Sequence, residues 1–304
     1  MSIKPFFDAS PFTQFIMLVF CMVMCFLLFM VAGILFAPMI LGIPFVELLN
    51  DVSGDVSEQN LNLLRYIQII QGIGFFIVPA FFAAWLFSNS VTGFLHLKQT
   101  TQTKWFGATL LLMLAAIPCI NLMTALNEMI VFPESLAGWE QRLRNLEDAA
   151  QKVTRLFLNV DNIGGMFFNI IMIAIIPAIG EELIFRGLLQ KIFTRWTGNV
   201  HLAILITGFL FSAMHLQFYG FFPRWLLGVM FGYLLIWSGT LWLPIFAHLM
   251  NNTIAVFFSF LIHKGMMNEK IETFGANWQD IPVTAVATVI CGWLLWKMYQ
   301  IRKL

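Results

Sequence analysis

Eight apolar stretches run along this 304-residue chain, at about 12–37, 64–87, 105–132, 165–190, 199–219, 222–238, 241–263 and 281–300. Most approach or exceed the roughly 20 residues that a helix needs to cross a bilayer's hydrocarbon. Inside hydrocarbon the backbone must satisfy its own hydrogen bonds, so long apolar runs of this kind fold as helices. The expected fold is therefore an all-α polytopic membrane protein, a bundle of about eight transmembrane helices. Composition agrees: the chain is 60% hydrophobic and 11% charged, against about 45–50% apolar and about 25% charged in soluble domains. Mean hydropathy is +0.83. The first run follows Lys4 and exceeds the core of about 7–15 residues of a cleaved signal, so it reads as a retained helix.

Two connections are polar. Residues 43–62 hold Glu47, Asp51, Asp55 and Glu58 without Lys or Arg. Residues 133–162 mix both signs, and Leu143, Leu146, Ala150, Val153 and Leu156 recur there at helical spacing. This predicts an amphipathic surface helix near 135–158, lying on the membrane or capping the bundle. Lys4, Lys98, Lys104, Lys191, Arg195, Lys297, Arg302 and Lys303 fall on one side of an eight-span topology. That bias places both termini in the cytoplasm, although the basic residues of 133–162 fall on the other side. Cys21, Cys25, Cys119 and Cys291 lie in apolar stretches without metal or redox spacing, and read as packing residues. No basic run or basic–aromatic stripe points to nucleic acid. The expected division is 1–160, three helices and the amphipathic connector; 161–264, the core with the chemistry; and 265–304, a loop and the last helix.

The polar residues inside the apolar runs carry the functional signal, because ionisable groups at membrane depth are costly and usually functional. Glu181 and Glu182 end the run Phe167–Gly180, and Arg186 follows. Adjacent helical residues point about 100° apart. Glu182 and Arg186 are i,i+4 with the acid first, the favourable order for an ion pair, which leaves Glu181 to face something else. Pro177 lacks a backbone donor, frees the Ile173 carbonyl and predicts a kink. His215 is the polar residue of the next segment. It lies about as far after the Thr197–Gly198 turn as Glu181 lies before it, about 25 Å at 1.5 Å per residue. A tight helical hairpin brings the two to one depth. In the seventh segment His248 shares a face with Asn252, and Asn251 is also within reach. Imidazole and carboxamide supply the donors an oxyanion needs. Each intrusion alone can serve as interhelical hydrogen bonding, but three in one bundle exceed what cohesion requires. His96, His201 and His263 read as interfacial residues.

Other intramembrane protease chemistries lack their residues. Asp8, Asp51, Asp55, Asp148, Asp161 and Asp280 all lie outside the depths of the spans, no GxSG occurs and no HExxH occurs. What remains is a carboxylate with histidines. Glu181-Glu182-Leu-Ile-Phe-Arg186 fits EExxxR, Phe211-Ser-Ala-Met-His215 fits FxxxH, and His248-Leu-Met-Asn-Asn252 fits HxxxN. Together, over about residues 165–263, these resemble the CAAX-protease and bacteriocin-processing family (CPBP, or Abi), whose best-known branch is the type II CAAX prenyl endopeptidase. The resemblance implies an eight-helix intramembrane endopeptidase with its active site in a cavity within the bilayer. Glu181 and His215 would activate water, His248 and Asn252 would hold the oxyanion, and Glu182, Arg186 and Asn251 would support them. Expected partners are membrane lipid and a membrane-anchored or lipidated peptide or protein.

The same residues leave two alternatives in the chemistry. Glu181, His215 and His248 also make a donor set for Zn²⁺ with an open water position, although the Asn252 match favours a metal-free oxyanion site. A non-catalytic scaffold or bacteriocin-immunity protein would use the same cavity to bind a partner. A transporter with a proton-relay carboxylate would more usually show repeats, and none is visible.

Overall fold

A computed structural model describes residues 6–45, 48 and 60–301. Glu47, Asp51, Asp55, Glu58, Lys4, Arg302 and Lys303 lie outside the described residues. The helices are α1 (Pro11–Leu41), α2 (Leu61–Phe87), α3 (Thr103–Glu128), α4 (Ala137–Leu158), α5 (Ile163–Thr197), α6 (Val200–Ala213), α7 (Phe221–Ser238), α8 (Trp242–His263) and α9 (Ile281–Ile301). No strand occurs among the described residues. Among the described residues seven helices are long and apolar enough to cross a membrane, and the protein is an all-α, integral, multi-pass membrane protein.

The fifth expected span is the exception. The segment read as 199–219 is helical only over Val200–Ala213, 14 residues, roughly 21 Å against about 30 Å of hydrocarbon. The helix stops because the chain turns: His215 N–H bonds Ser212 O, and Leu216 takes a left-handed φ of 54°. A 3₁₀ turn at Phe218–Gly220 then leads into α7. His215 therefore stands just beyond a helix end, not within a helix.

Local chemistry sets the other boundaries. Ser10 caps α1 through the Thr13 N–H, and Pro11 sits in the first turn, where its missing N–H costs nothing. Asn162 caps α5 and Asn199 caps α6. Gly198, at φ 66°, ends α5 in the left-handed conformation that favours glycine. The α5–α6 link is thus tight, and the two helices pack as the expected hairpin. In α5 the feature at Pro177 is a π-helical turn, Ile170–Ile175, just before it. A second π-helical turn, Leu183–Leu189, carries Arg186. Such turns are commonly found at functional sites.

Two apolar clusters flank the central helices. Leu18, Ala80, Ala83, Ala84 and Phe87 of α1 and α2 pack on Leu183, Ile184, Phe185 and Leu188 of α5. Leu112 and Met113 of α3 pack with Phe231, Leu243, Leu294 and Met298 of α7, α8 and α9. Large apolar side chains such as Leu28, Leu35, Val289 and Trp293 stay exposed on the outer helices, as lipid-facing surface does.

The amphipathic helix forms as α4, but Leu146 of its expected apolar stripe is exposed while Glu147 is buried. The helix meets the bundle through a carboxylate because the 3₁₀ turn after α6 offers it donors. At its start Glu140 accepts from Arg144 and from Phe132 N–H. The Arg144 hydrogen bond, then that N–H, hold the Glu140 carboxyl below its ordinary range.

Helices α6 and α7 touch backbone to backbone. A Cβ on Gly228 would come 2.9 Å from Gly208 Cα and 3.2 Å from Arg186 Nη2. Gly228→Ala should therefore push α6 from α7, at the roughly 1–3 kcal/mol typical of overpacking. Thermal unfolding followed by tryptophan fluorescence in detergent should show a lower midpoint than wild type; an unchanged midpoint would contradict this packing.

Candidate active site

The site is built on the π-helical stretch of α5. Glu182 and Arg186 are both fully buried, with Arg186 Nη1 donating to Glu182 Oε1 at 2.7 Å. Arg186 Nη2 donates to Gly228 O of α7 at 2.8 Å. Its guanidinium lies over three rings, 4.7 Å from the Phe211 centroid, 5.3 Å from Phe231 and 5.8 Å from Phe185. The negative ring faces stabilise a desolvated cation. The ion pair expected from spacing is present, and it draws α5, α6 and α7 to one point.

Helix α8 adds His248 to the same carboxylate oxygen: His248 Nδ1 lies 2.9 Å from Glu182 Oε1. A carboxylate only accepts, so Nδ1 carries the proton, and Nε2 is left facing away from Glu182. Nε2 lies 3.9 Å from Glu181 Oε2. The ring stacks on Phe231, with centroids 5.3 Å and planes 19° apart, and meets the edge of Phe211. His248 is held in orientation on three sides.

Glu181 is placed differently from its neighbour. Its Oε2 is buried and has no hydrogen-bond partner, and no cation closes on it as Arg186 closes on Glu182. His215 is exposed at the end of α6 and within electrostatic reach of Glu181, His248 and Arg224. No hydrogen bond joins Glu181 to His215, so the expected direct meeting is replaced by a shared neighbourhood in which His248 stands closest to Glu181. His215 Nδ1 lies 2.9 Å from Phe211 O. A carbonyl accepts only, so Nδ1 donates and Nε2 keeps its lone pair in the neutral ring. Both imidazoles thus anchor through Nδ1 and present Nε2.

Asn252 and Asn251 are less free than their spacing implied. Asn252 Nδ2 donates to Ile173 O at 3.1 Å, the carbonyl that Pro177 deprives of its i+4 donor. Asn251 Nδ2 donates to Asn252 Oδ1 at 3.1 Å, so it supports Asn252. Asn252 keeps one further N–H for other use. Among the described residues no group of three or more His, Cys, Asp or Glu side chains is arranged to hold a metal ion, and no step below passes through Zn²⁺.

Several contributors carried no sequence signal. Gly228 and Phe231 sit in an apolar helix where nothing marks them as partners of Arg186 and His248. Phe211 was legible only as the first position of FxxxH. Removing Arg186 breaks a buried ion pair and leaves Glu182 with His248 as its remaining partner; breaking such a pair typically costs about 3–5 kcal/mol. Arg186→Met should lower unfolding stability by about that much. Adding Glu182→Gln should restore part of it, and a double-mutant cycle of unfolding free energies in detergent checks both.

Comparison with known proteins finds a family likeness over the stretch of chain that carries these residues. Residues 163–254 match the family model described as "Type II CAAX prenyl endopeptidase Rce1-like". An "Uncharacterized 24.3 kDa protein" from Escherichia coli is 30% identical over 110 residues, 35% of this chain and 50% of that protein. The chain thus spans about half the length of the curated relative it matches. No solved structure matches. The matched stretch runs from the start of α5 into α8 and contains Glu181, Glu182, Arg186, His215, His248 and Asn252, and over it the chain is similar to the CAAX-protease-like family.

Proposed function

We propose that this protein is an intramembrane endopeptidase acting on a membrane-anchored or lipidated peptide or protein. The observation that carries this reading is the contrast between the paired acids. Both acids keep a buried Oε2 without a hydrogen bond, but Glu182 is neutralised through Oε1 by Arg186 and His248, whereas the nearest ionic partner of Glu181 is an imidazole nitrogen 3.9 Å away. A carboxylate needed only for cohesion would be paired as Glu182 is.

In the proposed reaction Glu181 takes a proton from water, and His215 Nε2 orients that water. The water oxygen bonds to the scissile carbonyl carbon, whose oxygen becomes the oxyanion. His248, as the imidazolium donating from Nε2, and the free N–H of Asn252 stabilise it. Collapse breaks the C–N bond, and the proton held by Glu181 passes to the leaving amine. Glu182 and Arg186 are positioning residues that hold His248 and the π-helical turn. The apolar surround suits a substrate that arrives through the bilayer with lipid about it. The basic residues beside the α5–α6 turn and near the C-terminus favour a topology with both termini on the cytoplasmic side, and α6, though short, reverses direction between α5 and α7, as that topology requires.

The decisive experiment compares peptide termini across membranes that hold wild-type protein or Glu181→Gln. Termini present only with wild type identify cleavage, and Glu181→Gln and His215→Ala should each lower its rate by about 10²–10⁴. Cleavage in excess chelator should match that without it. Wild-type-level cleavage by Glu181→Gln, or full biological function without any Glu181-dependent terminus, would turn the reading to a partner-binding scaffold.

A further inference from the structure

The segment that carries His215 is irregular, which is unusual ground for a residue needing a fixed position. Between α6 and α7, residues 214–220 make no regular helix apart from one 3₁₀ turn, and Leu216 sits at φ 54°. Left-handed backbone at a non-glycine residue is strained and persists only where surroundings enforce it. Three elements do so.

The surface helix α4 acts from outside. Glu147 is buried against the segment, with Oε1 accepting from Gln217 Nε2 and Oε2 accepting from Tyr219 N–H, each at 3.2 Å. Arg144, one turn earlier, lies 4.5 Å over the Tyr219 ring. From the bundle side α7 contributes Arg224. Its Nη1 donates to Gln217 O at 3.1 Å and its Nη2 to Gln217 Oε1 at 2.9 Å. Gln217 is therefore gripped through its backbone carbonyl and both ends of its carboxamide. Gly220 permits the grip, since a Cβ there would sit 2.3 Å from Arg224 Nη2. The end of α3 pins the far side, with Asn127 donating to Phe218 O and accepting from Phe222 N–H.

We infer that Glu147, Gln217 and Arg224 form a clamp that positions His215, so that α4 is part of the catalytic machinery although it lies outside the region matched to the family. The inference rests on the proposed endopeptidase reading for its functional consequence, but its structural half is independent of it. Glu147 and Arg224 are positioning residues: only Leu216 separates His215 from Gln217, and fixing Gln217 fixes the short path between Ser212 and the 3₁₀ turn. The clamp also explains why α4 buries an acid where an ordinary amphipathic helix would bury leucine. Its two carboxylate oxygens meet one side-chain and one main-chain donor of the same loop.

The test uses the full-length protein in detergent, with Glu147→Ala, Glu147→Gln and Glu181→Gln beside wild type. Hydrogen–deuterium exchange reads the loop, and cleavage of a peptide spanning a Glu181-dependent terminus reads the chemistry. Glu147→Ala should speed exchange in 214–220 at least tenfold and leave α8 unchanged. Its kcat should fall at least tenfold with KM within about twofold. Glu147→Gln, which retains an acceptor, should recover most of both. Unchanged exchange in 214–220, or a loss appearing in KM or in unfolding midpoint without kcat, would overturn the clamp. If Glu181→Gln is inactive while Glu147→Ala runs at wild-type kcat, the clamp falls and the endopeptidase reading stands. If Glu181→Gln cleaves normally, that reading falls and exchange alone decides the clamp.

Discussion

A charge pair sealed away from water loses the hydration of both ions, and mutual attraction offsets that loss only where every remaining group is also engaged. The Glu182–Arg186 pair meets this condition in large part through its neighbours, with Glu182 Oε2 and Arg186 Nε staying without a hydrogen bond. Arg186 finds a carbonyl on α7 and ring faces on α5, α6 and α7, while Glu182 Oε1 also meets His248 of α8. Together these engagements draw on α5, α6, α7 and α8. Satisfying one ion pair therefore fixes the mutual placement of the four helices that hold the candidate site residues other than His215, which follows α6. The close approach at Gly208 and Gly228 follows from the same demand, because the Gly228 carbonyl has to reach the guanidinium.

This arrangement separates two acids that are adjacent in sequence. Glu182 is committed to cohesion, and its commitment orients His248 so that Nε2 looks toward Glu181. The positioning and the proposed chemistry are thus linked through one imidazole: Nδ1 belongs to the structural pair and Nε2 to the side of Glu181. His215 repeats the pattern with a backbone carbonyl in place of the carboxylate. In both rings a group that can only accept selects the tautomer.

Local relations were legible in the sequence and distant ones were not. Spacing sufficed for the Glu182–Arg186 pair, because i,i+4 contact is a property of one helix. The glycine and asparagine at 198–199 marked the hairpin, and Pro177 pointed to the Ile173 carbonyl. Which side chain would answer that carbonyl depended on how α8 crosses α5, and periodicity carries no information on crossing. For the same reason His248 was expected at an oxyanion and is found first as a partner of Glu182. The end of α6 at Ala213 escaped hydropathy because the residues after it remain largely apolar, while the turn is made by backbone geometry at Leu216. Glu147 was read as part of a solvated face, since a lone acid on an amphipathic helix gives no sign of a loop that will cover it.

The site has two mechanical halves. On the α5–α8 side, packed helices, aromatic rings and a buried ion pair hold Glu181 and His248 in place. On the other side His215 rides on an irregular segment at an exposed helix end. A substrate that stays in or on the bilayer has to enter laterally, and a half-site of closed helices would bar it. The exposed end of a short helix would suit such entry under the proposed function, but it leaves the residue there without helical support. Hydrogen bonds from α4 and α7 to Gln217 and Tyr219 replace that support. The shortness of α6 and the buried acid on α4 are thus two parts of one solution: a surface helix with a carboxylate turned inward restores the order that the missing turns would have supplied.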